Sequence, residues 1–238
     1  IFNKVKILAI IPARMGSSRF PGKPLKKIND IPMIQHVFEN TKKSKLVDKV
    51  IIATCDREIE KLIKSIRGEV IMTSKKHQRA SDRCYEAMMK LEKRMHTKFD
   101  IIVMVQGDEP MISSKMVDNS IRPLLKDKNL GVVNLISNIA DAKEFNDKNC
   151  IKVVKDKNNF ALYFSRSPIP FKSQFNKKNI KKQVCSIPFK RKILQFYFKK
   201  KLSLLEKLES IDMLRLLENG IKIKLVNTPF YTHAVDTQ

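Results

Sequence analysis

Three cations stand close together with no acid between them: Arg14, Arg19 and Lys23, in the stretch IIPARMGSSRFPGKPL from Ile10 to Leu25. Gly16, Ser17, Ser18 and Gly22 carry little or no side chain and let backbone N–H groups approach a ligand. A small-residue basic loop suits a polyphosphate, above all between a buried strand and a helix N-terminus. It is not a Walker loop: the interval from Gly16 to Lys23 is wrong, and Pro24 stands where Ser or Thr is needed. GxGxxG is absent too. An ordinary basic surface loop would have the same composition.

Two further groups could do chemistry. Gly107-Asp108-Glu109-Pro110 follows the apolar run DIIVMVQ, 100–106. Ligands of open α/β sheets sit at the carboxyl ends of strands, and a carboxylate there can hold Mg²⁺ beside phosphate oxygens. Asp108 is the metal candidate and Glu109 a brace for the loop; the competing reading makes Asp108 the cap of a helix starting near Ser114. The other group is TSKKHQRASDR, 73–83, where Arg79 and Arg83 flank Ser81, the expected N-cap of a helix. His77 is the only histidine inside a candidate motif. Near the end, THAVDT puts Asp236 after an apolar step, where by itself it reads as a turn aspartate. Cys55, Cys84, Cys150 and Cys185 form no CxxC pair or zinc spacing, which reads as reduced thiols in a cytoplasmic protein.

The elements that must position these groups alternate. Val5 to Ile11 is an apolar run broken only by Lys6, as expected of a strand buried on both faces. A helix is expected over about 32–44, a strand over 49–53, a helix over 58–66 closed by Gly68, and a strand over 69–72. The order implies a mostly parallel sheet flanked by helices, an α/β fold of Rossmann-like type. From Gly131 the pattern changes: strands are expected over 132–139, 151–154 and 160–165, then a polar excursion to Lys182. One helix is expected over 203–220, opened by a Ser203/Glu206 capping box and stopped by Gly220. A last strand spans 221–226.

The chain has 238 residues, 42% of them hydrophobic, enough for one large domain with an excursion. No apolar run approaches the roughly 18 residues of a membrane span. IFNKVKILAIIPAR does not read as a signal peptide, because its apolar run continues into the basic loop. The formal net charge of +24 raises nucleic-acid binding. Against it, the lysines are dispersed and no DNA- or RNA-binding module is legible. The densest basic region, 172–201, interleaves Phe175, Phe189, Phe196, Tyr197 and Phe198, and a solvated basic face is the favoured reading. Such a field would attract anionic substrates.

ARMGSSRFPGKPL resembles the signature of the sugar nucleotidyltransferases that activate acidic sugars with CTP, and most of all that of the 3-deoxy-manno-octulosonate (Kdo) cytidylyltransferases. The resemblance continues in order through HQRASDR (77–83), VQGDEP (105–110), ALYFSR (161–166), LEKLESIDMLRLLENG (205–220) and VDT (235–237), covering nearly the whole chain. It implies one domain over 1–238, with an excursion at about 160–190 that makes a homodimer through a small β-rich extension. It implies CTP, an acidic 2-keto sugar and Mg²⁺, with Mn²⁺ able to substitute, and a CMP-sugar product for surface polysaccharide or lipopolysaccharide. Nucleic acid and membrane are not implied as partners.

Residue by residue, the resemblance places the nucleotide on Pro12, Ala13, Arg14, Gly16, Ser17, Arg19, Lys23, His77, Arg79, Ser81, Arg83 and Gln106. It places the sugar on Gln106, Tyr163, Arg166, Gln183 and Asp212, and the metal on Asp108 and Asp236. Arg14, Lys23 and Asp108 are the catalytic candidates. The acceptor side departs from the family: QVCSIPFK stands for HxGIYxYR and ESIDMLR for ESLEQLR, so Gln183, Ile187, Asp212 and Met213 replace His, Tyr, Glu and Gln. The expectation is an altered acceptor, a related amino- or deoxy-ulosonic acid, with Kdo itself used poorly. Another sugar or nucleoside triphosphate is the alternative within nucleotidyltransferases. The chain stops just after the VDT motif, where the family continues into a further helix, and starts on Ile1; a trimmed chain is expected.

Overall fold

The strand β1 (Ile7–Pro12) is buried at all of its positions, as its unbroken apolar run requires. In a computed structural model of the protein, residues 4–16, 20–171 and 180–234 are described. After β1 come a short hairpin, β2 (Lys27–Ile28) and β3 (Ile31–Pro32), and then α1 (Met33–Lys42), β4 (Lys49–Thr54), α2 (Arg57–Ser65), β5 (Val70–Met72), α3 (Ala80–Met95), β6 (Ile101–Val105) and α4 (Ser114–Lys126). The second half carries β7 (Val133–Asn138), α5 (Ala142–Asn146), β8 (Lys152–Lys155), β9 (Ala161–Ser165), β10 (Lys181–Val184) and β11 (Ser186–Lys190). It closes with α6 (Arg191–Lys199), α7 (Leu204–Glu209), α8 (Met213–Glu218) and β12 (Lys224–Asn227).

The main sheet has the order β11-β6-β1-β4-β5. Its four inner and early strands run parallel, and β11 lies antiparallel on β6, with Ile187 opposite Met104. Core side chains from β1 and β6 alternate between its two faces, the arrangement expected when helices cover both. The second sheet, β12-β7-β10-β8-β9, is antiparallel except for β12 on β7. A bridge between Val132 and Phe189 joins the sheets. Residues 160–190 are therefore shared out: β9 and β10 belong to the second sheet and β11 to the edge of the first, with 172–179 outside the described residues.

Three expectations are corrected by the backbone. The helix expected over 203–220 is two, because Ser210 takes a left-handed conformation (φ 55°) between α7 and α8. Gly220 (φ 76°) does end the second. After α2 the left-handed residue is Arg67 (φ 58°), not Gly68; a Cβ on Gly68 would fall 2.5 Å from Ile63 Cγ2, so that glycine serves close packing. Ser81 lies inside the first turn of α3, behind an N-cap at Arg79, and its hydroxyl goes to Asp212. Residues 140–149 contain α5, opened by Asp141, whose side chain accepts the Glu144 N–H. Among the aromatics of the basic region, Phe189 and Tyr197 are wholly buried, so they pack the core and offer no stacking platform.

Candidate active site

Gly107 lets the ends of β1 and β6 come together: a Cβ there would stand 2.9 Å from Ile34 and 3.2 Å from the Pro12 carbonyl. The loops leaving these two strands thus share one cleft, of about 610 Å³, large enough for a nucleotide and a small sugar. Pro12, Ala13, Arg14 and Lys23 line it from the first loop; Gln106 and Asp108 line it from the β6 loop. His77, Arg79 and Arg83 enter from the start of α3, and Arg166, Gln183 and Asp212 from the second half of the chain. Gly16 and Ser81 do not reach its wall, and neither does Tyr163, whose hydroxyl faces Glu209 at 3.4 Å. Ser17, Arg19 and Asp236 lie outside the described residues.

The first loop has an acidic anchor that its own sequence lacks. Asp56, after β4, accepts the Met15 N–H at 2.7 Å. Lys23 is nearly buried and donates to Asp108 Oδ2 at 2.8 Å. Asp108 Oδ1 is buried with no hydrogen-bond partner among the described residues. Ser113, not Asp108, caps α4, by accepting the Met116 N–H, so the competing role for Asp108 is filled. An orphaned carboxylate oxygen at a strand end suits a hard divalent cation. Among the described residues no group of three or more His, Cys, Asp or Glu could hold one. Glu109 is buried and accepts the Cys185 N–H at 3.4 Å, the bracing role expected of it.

Arg83 is 3% exposed, with Nη1 on the Thr73 hydroxyl and Nη2 buried without a partner among the described residues. A buried guanidinium nitrogen left unsatisfied at a cleft wall is a donor waiting for a ligand. His77 is held by Glu86, which also accepts the Ser74 N–H at 2.9 Å. Burial raises the Glu86 carboxyl, but hydrogen bonds from Lys90, Ser74 and His77 outweigh it and hold the group down to about 2. Arg79 turns to the Glu206 carbonyl at 3.2 Å and into a buried cluster around Arg215. There Arg215 grips Glu206 with two nitrogens, at 2.6 and 2.8 Å, and lies 3.9 Å over the Tyr197 ring. Glu206 also accepts the Ser203 N–H, at 3.4 Å, as the capping box requires.

On the acceptor side Ile187 and Met213 both line the cleft, with only 1% and 0% of their surface exposed. Asp212 accepts the Ser81 N–H at 3.0 Å and its hydroxyl at 2.8 Å, which ties α8 to the nucleotide-side helix; burial pushes its carboxyl upward even so. Gln183 donates to Asn134 at 2.6 Å. Sequence reasoning missed Lys182, which lines the cleft with 5% exposure, pairs with Glu144 and donates to the Thr232 carbonyl at 2.7 Å. Its position in a Lys-rich stretch hid it.

The family model described as Cytidylyltransferase matches residues 8–223. The chain belongs to the cytidylyltransferase family. It is 42% identical to a 3-deoxy-manno-octulosonate cytidylyltransferase of Thermodesulfovibrio yellowstonii, over 97% of this chain and 93% of that protein. The enzyme of the same name from Trichlorobacter lovleyi is 43% identical, over 98% and 94%. Among solved structures, a CMP:2-keto-3-deoxy-manno-octonic acid synthetase complexed with CTP superimposes with a TM-score of 0.86 at 38% identity, covering 98% of this chain and 93% of that one. The cleft draws cations from the first loop and the start of α3 and a carboxylate from the β6 loop. None of the four cysteines forms a disulfide, and no described helix is long and apolar enough to cross a membrane.

Proposed function

We propose that this cytidylyltransferase couples CTP to 3-deoxy-manno-octulosonate, giving the CMP-sugar and pyrophosphate. The observation that carries the reading is that Arg83 and Asp108 line the same cleft, each with a buried atom of opposite character, Nη2 and Oδ1, that has no partner among the described residues. Identity at 42% and 43% to two enzymes of that name supports the choice of acceptor. The altered acceptor expected from Ile187 and Met213 is disfavoured by that identity, although both residues line the cleft.

In the reaction the anomeric hydroxyl oxygen of the sugar bonds to the α-phosphorus. The bond to pyrophosphate breaks, and the hydroxyl proton leaves to solvent. Negative charge builds on the α-phosphoryl oxygens and on the leaving group, so catalysis is mainly positioning and charge neutralisation. Lys23 and Arg14, with Arg19 beyond the described residues, grip the triphosphate. Arg83 supplies its spare N–H to the nucleoside end, on a helix start fixed by Ser81 and Asp212. Gln106, Arg166 and Gln183 form the sugar side. Mg²⁺, or Mn²⁺ in its place, would be held by Asp108 and Asp236 and would supply further charge neutralisation at the phosphates. The enzyme works in the cytoplasm as a homodimer, and its product feeds surface polysaccharide. Pyrophosphate release with CTP across a panel of 2-keto acid sugars tests the proposal; a related ulosonic acid outperforming Kdo would restore the altered-acceptor reading.

A further inference from the structure

Lys152 opens β8 with none of its surface exposed. Its Nζ donates to three backbone carbonyls: Asp147 at 2.8 Å, Cys150 at 2.7 Å and Arg166 at 2.5 Å. A carbonyl oxygen only accepts, so three of them require three hydrogens on the nitrogen; the group is an ammonium. Burying an ammonium among neutral dipoles is costly, and burial does pull this lysine down from its ordinary value. An apolar side chain of similar length would fill the same space without that penalty. The charge must do something that packing does not.

What it does is gather two segments. Asp147 and Cys150 belong to the loop before β8, and Arg166 follows β9. The Arg166 side chain extends the arrangement: Nη1 donates to the Lys148 carbonyl at 3.0 Å, Nε to Glu209 at 2.7 Å and Nη2 to Ser210 at 3.2 Å. The Gln183 N–H takes the Ile151 carbonyl at 2.8 Å. The carbonyls of 147, 148, 150 and 151 are thus drawn into the protein, while Asn149, Cys150 and Ile151 line the cleft. Lys152 itself does not reach the cleft wall.

We infer that Lys152 is a positioning residue for the acceptor: its ammonium draws the 147–151 loop and Arg166 together and so sets the wall that holds the sugar. The inference rests on the proposed acceptor side of the cleft. It predicts a split between the substrates, because the nucleotide is held by the first loop and α3, which Lys152 does not touch.

The test compares the wild-type enzyme with Lys152→Met, Lys152→Ala and Lys152→Arg. In the first two, KM for Kdo should rise about tenfold or more, as expected of a displaced binding wall, while CTP affinity by titration calorimetry stays within about twofold. Lys152→Ala leaves three carbonyls around an ammonium-sized space, so ammonium or potassium chloride should lower KM for Kdo again, and tetramethylammonium chloride at equal ionic strength should not. Lys152→Arg keeps the charge but changes its reach; should the other two variants fail to fold, it must still raise KM for Kdo and leave CTP affinity alone. Equal losses for both substrates, no loss for either, or rescue by tetramethylammonium would overturn the inference. Amide hydrogen exchange separates it from the choice of substrate: faster exchange confined to 147–151 in Lys152→Met supports the staple even if Kdo is not turned over, and unchanged exchange there overturns it.

Discussion

Lys23 Nζ lies 2.8 Å from Asp108 Oδ2, joining the basic loop after β1 to the carboxylate after β6. The cation expected to bind phosphate and the carboxylate expected to bind metal hold one another across the cleft, both largely shielded, with side-chain exposures of 11% and 23%. A metal nucleotide brings a partner for each. Lys23→Met should therefore weaken turnover, by roughly 1.5–3 kcal/mol for a lost charge-assisted phosphate contact. It should also let free Mn²⁺ bind better in the absence of nucleotide, read by electron paramagnetic resonance. Unchanged catalytic efficiency in a folded variant would sink the loop assignment.

Asp108→Asn keeps the shape and removes the charge. We expect pyrophosphate release to collapse, and the wild-type enzyme to stop in excess chelator and recover with Mg²⁺ or Mn²⁺. Full turnover in chelator would remove the metal from the account.

Arg83→Gln removes the buried nitrogen that has no partner among the described residues. Affinity for CTP should fall by about 1–3 kcal/mol, with KM for the sugar little changed. A calorimetric titration with CTP checks this; equal weakening of both substrates would mean that Arg83 only holds up the fold.

The Glu86 carboxyl is held at about 2, below its ordinary value of 4.5, by Lys90, Ser74 and His77 acting against burial. A depressed folded value means stability that is present above pH 4.5 and lost as pH falls toward 2. Glu86→Gln should thus destabilise the protein most above pH 4.5, and the gap from wild type should close on acidification. Denaturant titrations across that range decide it; a gap that widens in acid would contradict the sign.

Arg215 and Glu206 form a buried pair, with Tyr197 donating to the same carboxylate at 2.9 Å. Removing one partner leaves the other charged and buried, so Arg215→Met should cost roughly 3–5 kcal/mol of unfolding free energy. The double variant with Glu206→Gln should lose less than the sum of the two singles.

The sequence was most legible where one local rule decides the outcome. β1 and β6 are unbroken apolar runs, the Ser203/Glu206 capping box opens α7, and Gly220 marks the stop of α8. It was least legible where a contact spans the chain. Nothing near Met15 announces Asp56, and nothing near Ser81 announces Asp212, because both partners arrive through the sheet topology. Nothing in the strand expected over 151–154 announces the three carbonyls gathered around Lys152. The break at Ser210 was hidden because a left-handed serine carries no signal comparable to glycine's. A substitution in a motif shows what changed at Ile187 and Met213, and only the structure shows that both line the cleft while exposing almost none of their surface.

The proposed reaction in this cleft joins CTP to Kdo. Purified protein, CTP, Mg²⁺ and Kdo should release pyrophosphate in step with CMP-Kdo, followed by coupled phosphate detection and mass spectrometry, with the other nucleoside triphosphates far weaker. No CMP-Kdo under these conditions, alongside rapid turnover of another nucleotide or another acceptor, would contradict it.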